Sequence, residues 1–155
     1  MILGIDPGLS GALVLIDDDF VIMDSLLMPT LQDGSKRAVD AKVVSDWLVG
    51  KNVAHAALEK VSAMPGQGVS SMFSFGRSYG VLEGVLSAHG ISYTLVTPQK
   101  WKKYHDLIGS EKDAARILAQ EKYPYEVIFN AKIKGQALAD ATLIALYGST
   151  LSVEH

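Results

Sequence analysis

Two acids stand where apolar strands run out and a third projects from an apolar helix, and oxygen ligands so placed can do metal chemistry. Asp6 closes the run Ile2-Leu3-Gly4-Ile5 and is followed by Pro7-Gly8. Glu59 closes Val53-Ala54-His55-Ala56-Ala57-Leu58, and Asp140 sits within Ala137-Leu138-Ala139-Asp140-Ala141. A carboxylate withdrawn from water is costly unless it is paired or bound to a cation. No Lys or Arg lies one helical turn from Asp140 on either side. If the three acids converge, their repulsion favours hard divalent ions, Mg²⁺ or Mn²⁺. Two such ions roughly 3.5–4 Å apart activate a water and stabilise the leaving oxygen in phosphodiester cleavage. Taken singly, each acid also has an ordinary reading: a turn-opening Asp6, a strand-ending Glu59, a capping or salt-bridged Asp140. His55 reads as a strand residue and Asp17-Asp18-Asp19 as a short connection, not as ligands.

The elements that must position these acids follow from periodicity. Strands are expected over Ile2 to Asp6, Ala12 to Ile16, and Phe20 to Met28, joined by short turns and therefore antiparallel. Pro29 to Arg37 reads as a polar loop. A helix beginning at Ala38 or Asp40 places Val39, Val43, Trp47 and Leu48 on one face and stops at Gly50. Val53 to Glu59 is a fourth strand, and the strand–helix–strand connection makes the sheet mixed. After the glycine-bearing loop Ser62 to Val69, Met72, Phe75, Tyr79, Leu82 and Leu86 mark an amphipathic helix stopped by Gly90. Gly76, Gly80 and Gly84 give that helix a small-residue face, suited to another backbone or a partner subunit. Ser92 to Thr97 is a fifth strand, followed by Pro98 at a helix start. Ser110 is expected to cap a helix packed through Ala114, Ile117 and Leu118, ended at Tyr123-Pro124. The last helix is expected from Gln136 to Tyr147, with Gly148 closing it.

The chain has 155 residues, which suggests one domain over 1–155. It has no Cys, which excludes disulfides and thiolate metal sites and suits a reducing cytoplasm. No apolar run approaches a membrane span, and the N-terminus lacks a basic signal-peptide region, so a cytoplasmic protein is expected. The formal net charge of -3 hides an asymmetry. Residues 1–99 hold six Lys/Arg against ten Asp/Glu, residues 100–134 hold eight against five, and residues 135–155 hold none against two. A basic segment in an acidic chain is either a solvated helix face or a footprint for a polyanion.

The ordered set of motifs resembles the RuvC-type Holliday junction resolvases. It comprises Ile2-Leu3-Gly4-Ile5-Asp6-Pro7-Gly8, Leu58-Glu59, and Ala139-Asp140-Ala141 followed by Leu143-Ile144-Ala145. Met64-Pro65-Gly66-Gln67-Gly68-Val69, Phe75-Gly76-Arg77-Ser78-Tyr79-Gly80, Thr97-Pro98-Gln99-Lys100-Trp101-Lys102-Lys103 and Ser110-Glu111-Lys112 are similar to the phage and prophage members. The resemblance runs from Ile2 to about Gly148. It implies an α/β, ribonuclease-H-like fold: a five-stranded mixed sheet, three antiparallel strands first, flanked by helices. It implies a metal-dependent endonuclease of a bacterial or phage-infected cell that resolves four-way and related branched DNA by paired nicks. Asp6, Glu59 and Asp140 would then be metal ligands, for two Mg²⁺ or Mn²⁺ ions. Lys112 would act on the scissile phosphate, and Lys100, Lys102, Lys103, Arg77 and Gln67 would contact DNA. A homodimer would form through the helix around residues 70–88.

Two positions depart from the family pattern. A fourth acid normally precedes the last-helix Asp by three residues; Ala137 stands there, and Glu126 is a candidate to reach in. An aromatic expected three residues after Glu59 is replaced by Ser62, leaving Met64 or Phe73 as a wedge. Two other functions compete: a junction-binding protein that has lost catalysis, and an ATP-binding protein of the actin and sugar-kinase class. The latter shares the strand, Asp-x-Gly turn and hairpin, but normally needs a second such domain.

Overall fold

The computed structural model describes residues 1–151. β1 (Ile2–Asp6), β2 (Ala12–Ile16) and β3 (Ile22–Leu27) form an antiparallel meander. β4 (Thr30–Asp33) and β5 (Lys36–Val39) form a separate two-stranded hairpin. α1 (Ala41–Leu48) then leads to β6 (His55–Glu59), which pairs parallel to β1. α2 (Val69–Ala88) crosses to β7 (Tyr93–Val96), parallel to β6. α3 (Pro98–Tyr104), α4 (Ala114–Lys122), a 3-10 turn (Val127–Phe129) and α5 (Lys132–Leu151) follow among the described residues. The main sheet has the order β3-β2-β1-β6-β7, the mixed five-stranded arrangement expected, with three antiparallel strands first.

Period-2 alternation decides which layer each strand residue meets. Leu3, Ile5, Leu13, Leu15, Ala56 and Leu58 pack under α1 and α2. Ile2, Ala12, Val14 and Ile16 pack on α5, and Ala57 lies with Leu143 and Ile144 of α5. Both faces of the sheet are therefore buried. Asp6 shares the parity of Ile2 and Gly4, and Glu59 that of Ala57, so both carboxylates belong to the α5 side.

Four expectations about elements need correction. Pro29 to Arg37 contains a hairpin turned at Gly34-Ser35, where Gly34 has φ 61, a value glycine adopts without strain. Val39 is consequently in β5, and α1 starts after Asp40, whose Oδ1 accepts from Val43 N at 3.2 Å. Its buried face is Val44 and Leu48, while Val43 is 41% exposed. α4 begins at Ala114 and buries Ala115 and Ala119, with Ile117 turned outward, because Ser110 to Asp113 stays non-helical. α5 starts at Lys132 and continues through Gly148, where a Cβ would lie 2.7 Å from that of Ala57. That glycine is a close approach to the sheet, not a stop.

α2 buries Ser78, Leu82 and Leu86, whereas Gly76, Gly80 and Gly84 face open space. No backbone within the described residues fills that ridge. Among the described residues, no helix is long and apolar enough to cross a membrane.

Candidate metal and nucleic-acid site

Asp6, Glu59 and Asp140 meet at one end of the sheet. β1 and β6 run parallel, so Asp6 and Glu59 leave at the same end, and α5 brings Asp140 across it on the face they share. Each carboxylate is held by one donor from a different element. Gly8 N donates to Asp6 Oδ1 at 3.2 Å, fixing the turn after β1. Trp101 Nε1 of α3 donates to Glu59 Oε2 at 2.6 Å. Gln136 Nε2, one turn before Asp140 on α5, donates to Asp140 Oδ1 at 3.0 Å.

These donors do not offset burial. Asp6 is raised from its ordinary value by desolvation, opposed by the Gly8 amide. Glu59 is raised by desolvation, and Asp6 raises it further, while Trp101 and Lys102 oppose. Asp140 is pushed up to about 7, first by desolvation and then by the charge of Asp6, with a smaller contribution from Glu59. The three carboxylates thus sit within one another's field, half-buried and short of positive charge. Their donor set, all oxygen, fits Mg²⁺ or Mn²⁺. Among the described residues, no three His, Cys, Asp or Glu side chains are set closely enough to hold a metal ion as they stand. An ion would have to draw the three acids together.

Positive charge arrives from the α3–α4 side. A cleft of about 270 Å³ runs from Asp140 and Gln136 past Trp101 and Lys102 to Glu111 and Lys112. Lys102 acts electrostatically on both Glu59 and Asp140. Lys112 sits on the non-helical segment before α4, at the cleft wall. A neighbouring hollow continues from Lys112 to Arg116 and Lys132. Lys100 and Lys103 are exposed on α3, outside the cleft lining.

The remaining candidates lie elsewhere. Arg77 forms an ion pair with Asp33 of the hairpin. Gln67 is folded into its own loop, its Oε1 accepting from Met64 N at 3.1 Å. Glu126 lines a hollow with Asp19, Phe20 and Tyr123, beside the β2–β3 turn at the opposite end of the sheet. It therefore does not fill the place vacated at Ala137, which is buried on α5. Asp17 is a turn residue, its Oδ1 accepting from Asp19 N and Val21 N, both at 2.9 Å. His55 bridges the hydroxyls of Ser92 and Thr94, a structural role.

Sequence reasoning missed Trp101 and Gln136 as carboxylate partners. Gln136 was legible, since i and i+4 side chains share a helix face. Trp101 was not, because its contact joins residues 42 apart in sequence. His105 was missed as well: its Nε2 lies 2.8 Å from Leu143 O, tying the end of α3 to α5, and burial lowers its pKa.

Trp101→Phe removes the donor to Glu59 while keeping most of the buried ring. Partners that orient a ligand typically contribute roughly 10- to 100-fold in metal affinity. If Glu59 ligates a divalent ion, calorimetric Mn²⁺ titration is expected to show a loss of that order in a folded variant. Unchanged affinity would mean that the indole does not orient Glu59.

No protein-family model matches the chain, and no curated protein sequence matches it. Solved structures do. A Thermus thermophilus RuvC structure in complex with a Holliday junction substrate aligns at a TM-score of 0.67 and 15% identity, covering 96% of this chain and 92% of that one. A second Thermus thermophilus RuvC structure aligns at 0.63 and 16% identity with the same coverage. The chain has the RuvC-type fold. The five-stranded mixed sheet and flanking helices that carry Asp6, Glu59 and Asp140 are the part of the chain that this likeness covers.

Proposed function

We propose that this protein is a metal-dependent, structure-selective endodeoxyribonuclease that resolves four-way and related branched DNA by paired nicks. The observation that carries the reading is the meeting of three mutually repelling, half-buried carboxylates at one sheet end of a RuvC-type fold. Asp6, Glu59 and Asp140 would hold Mg²⁺ or Mn²⁺, two ions per site, which supply an activated water and charge stabilisation at the leaving oxygen. Trp101 and Gln136 orient two of the ligands. Lys102 and Lys112 place positive charge where the scissile phosphate would lie, and Lys100 and Lys103 extend it towards the flanking backbone. The open ridge of Gly76, Gly80 and Gly84 suits close approach of a second copy, giving a homodimer with two sites for two nicks. The phage-like motifs fit action in the cytoplasm of a bacterial or phage-infected cell.

Ala137 favours one second reading, a protein that binds junctions without cutting them. The amide of Gln136 stands beside Asp140 where a further carboxylate is absent. A labelled junction incubated with Mg²⁺ or Mn²⁺ separates the two: paired nicks support the nuclease, whereas a bound, intact junction at every ion concentration supports the second reading.

Proton competition gives an independent handle. Burial and the charge of Asp6 push Asp140 up to about 7 in the folded chain, against an ordinary 3.8. Between those values the folded form binds more protons than the unfolded chain, so stability is greatest below the lower value and falls as pH rises through the interval. Metal-free protein is therefore expected to melt lower at pH 7.5 than at pH 5.5, and Mn²⁺ to reverse the order. Melting curves in EDTA that rise over this interval would contradict the burial of an uncompensated Asp140.

A further inference from the structure

The β4–β5 hairpin takes no part in the carboxylate cluster, yet it leaves the sheet at the same end. Asp6 pairs with Ala12, and Ala12 pairs with Leu27 at the end of β3, so the chain enters the hairpin beside the Asp6 turn. Three contacts strap the hairpin to α2. Arg77 pairs with Asp33, Lys36 Nζ donates to Ser70 Oγ, and Val39 N donates to Ser78 Oγ at 3.3 Å. Arg37 is braced within the hairpin, its Nη2 donating to Thr30 O at 2.9 Å.

Between this hairpin, the first turns of α2 and Leu9-Ser10 lies an open groove of about 650 Å³, more than twice the cleft at Asp140. Lys36 and Arg37 supply its charge, and Ser10, Ser71 and Ser74 supply hydroxyls; no carboxylate lines it. Its two cations escape any sum over residues 1–99, which is dominated by acids elsewhere. Cations interspersed with hydroxyls are the set that proteins use on phosphate and sugar, without reading bases.

We propose that this groove binds the sugar–phosphate backbone of one arm of the branched DNA, on the opposite face of the sheet from the α3–α4 lysines. The assignment rests on the nuclease reading above. DNA crossing the sheet end would then be gripped on both sides of the cut, by Lys102 and Lys112 on one side and by the strapped hairpin on the other. The hairpin's anchoring holds its cations in place before DNA arrives, limiting the ordering cost of binding.

The test is equilibrium binding of a fluorescent four-way junction in EDTA across a range of NaCl concentrations. The Lys36→Gln/Arg37→Gln double variant is expected to bind roughly tenfold more weakly, with the slope of log K against log salt shallower by about 1–2. Ser71→Glu keeps the test independent of hairpin folding. It puts a carboxylate on the groove wall at the third residue of α2, a position the helix dipole favours, so its melting temperature is expected to hold while affinity falls severalfold. Val49→Glu, on a 68% exposed site where the chain approaches β6 from the far end of the sheet, controls for net charge and is expected to bind like wild type. Wild-type affinity and slope in folded Ser71→Glu and in the double variant would overturn the groove assignment while leaving junction nicking by wild type intact. Absence of any junction affinity in wild type would overturn both readings.

Discussion

Asp140→Asn is expected to make the metal-free protein more stable at pH 7.5 and to abolish nicking. The two effects share one cause. Asp140 is raised to about 7 by burial and by the charge of Asp6, so at pH 7.5 the folded chain carries a carboxylate it would rather protonate. An amide of the same shape keeps the Oδ1 acceptor for Gln136 and drops the charge. From the size of the shift, the gain is on the order of 2–4 kcal/mol at pH 7.5, shrinking towards zero below pH 4. For a chain of this size that is a rise of several degrees in melting temperature. A site that stores such repulsion in its resting state is the usual exchange of stability for function. In the proposed mechanism the same substitution replaces an anionic ligand oxygen by an amide nitrogen, and junction cleavage is expected to fall to background. An Asn variant that melts lower than wild type in EDTA at pH 7.5 would show that the Asp140 charge does not destabilise the folded chain.

Gly4→Ala is the second large effect. A Cβ at residue 4 would lie 2.1 Å from Ala141 O, 2.5 Å from Ala145 N and 2.7 Å from Ala145 Cβ. Two of these contacts are backbone, so no rotamer change relieves them and α5 must move away from β1. Overpacking of this kind costs about 1–3 kcal/mol, and more where backbone is displaced. The residue that α5 would carry away is Asp140, adjacent to Ala141. Metal affinity is therefore expected to fall together with stability. Gly84→Ala makes the contrast within a single copy: nothing there lies within 4 Å of its added Cβ, and removing a mid-helix glycine is worth up to about 1 kcal/mol to the isolated chain, while the methyl would crowd the second copy of the proposed dimer. Chemical denaturation of both variants checks the pair, and a Gly4→Ala protein as stable as wild type would contradict the close β1–α5 packing.

The main sheet was legible because its strands are mostly apolar runs bounded by turn residues, with β3 interrupted by Asp24-Ser25, and short turns force the first three to be antiparallel. The Pro29–Arg37 hairpin was not. Its strands are exposed and largely polar, so no apolar alternation marked them, and only the pair Gly34-Ser35 signalled the turn. Glycine misled in the other direction at Gly148, where the absence of a side chain serves packing on Ala57 instead of ending α5. The same ambiguity hid Gly4, read only as part of an apolar strand.

Asp6 and Glu59 were found from their places at strand ends and Asp140 from its place on an apolar helix, purely local signals. What surrounds them was not local. Trp101 reaches Glu59 because β6 and β7 are neighbours and α3 folds back from β7. Glu126 was a candidate by charge alone, and the β2–β3 turn holds it at the wrong end of the sheet. Lys36 and Arg37 drew no attention because acids outnumber cations over residues 1–99, although no carboxylate lines the groove that the two share.

The central claim is that Asp6, Glu59 and Asp140 cut branched DNA with a divalent ion. The most direct measurement compares wild type and Asp6→Asn on a labelled four-way junction, scoring binding in EDTA and nicking in Mn²⁺. The expected result is paired nicks by wild type, none by Asp6→Asn, and equal binding by both. Equal cutting by the two proteins, or a junction left intact by wild type at every Mn²⁺ concentration, would contradict it.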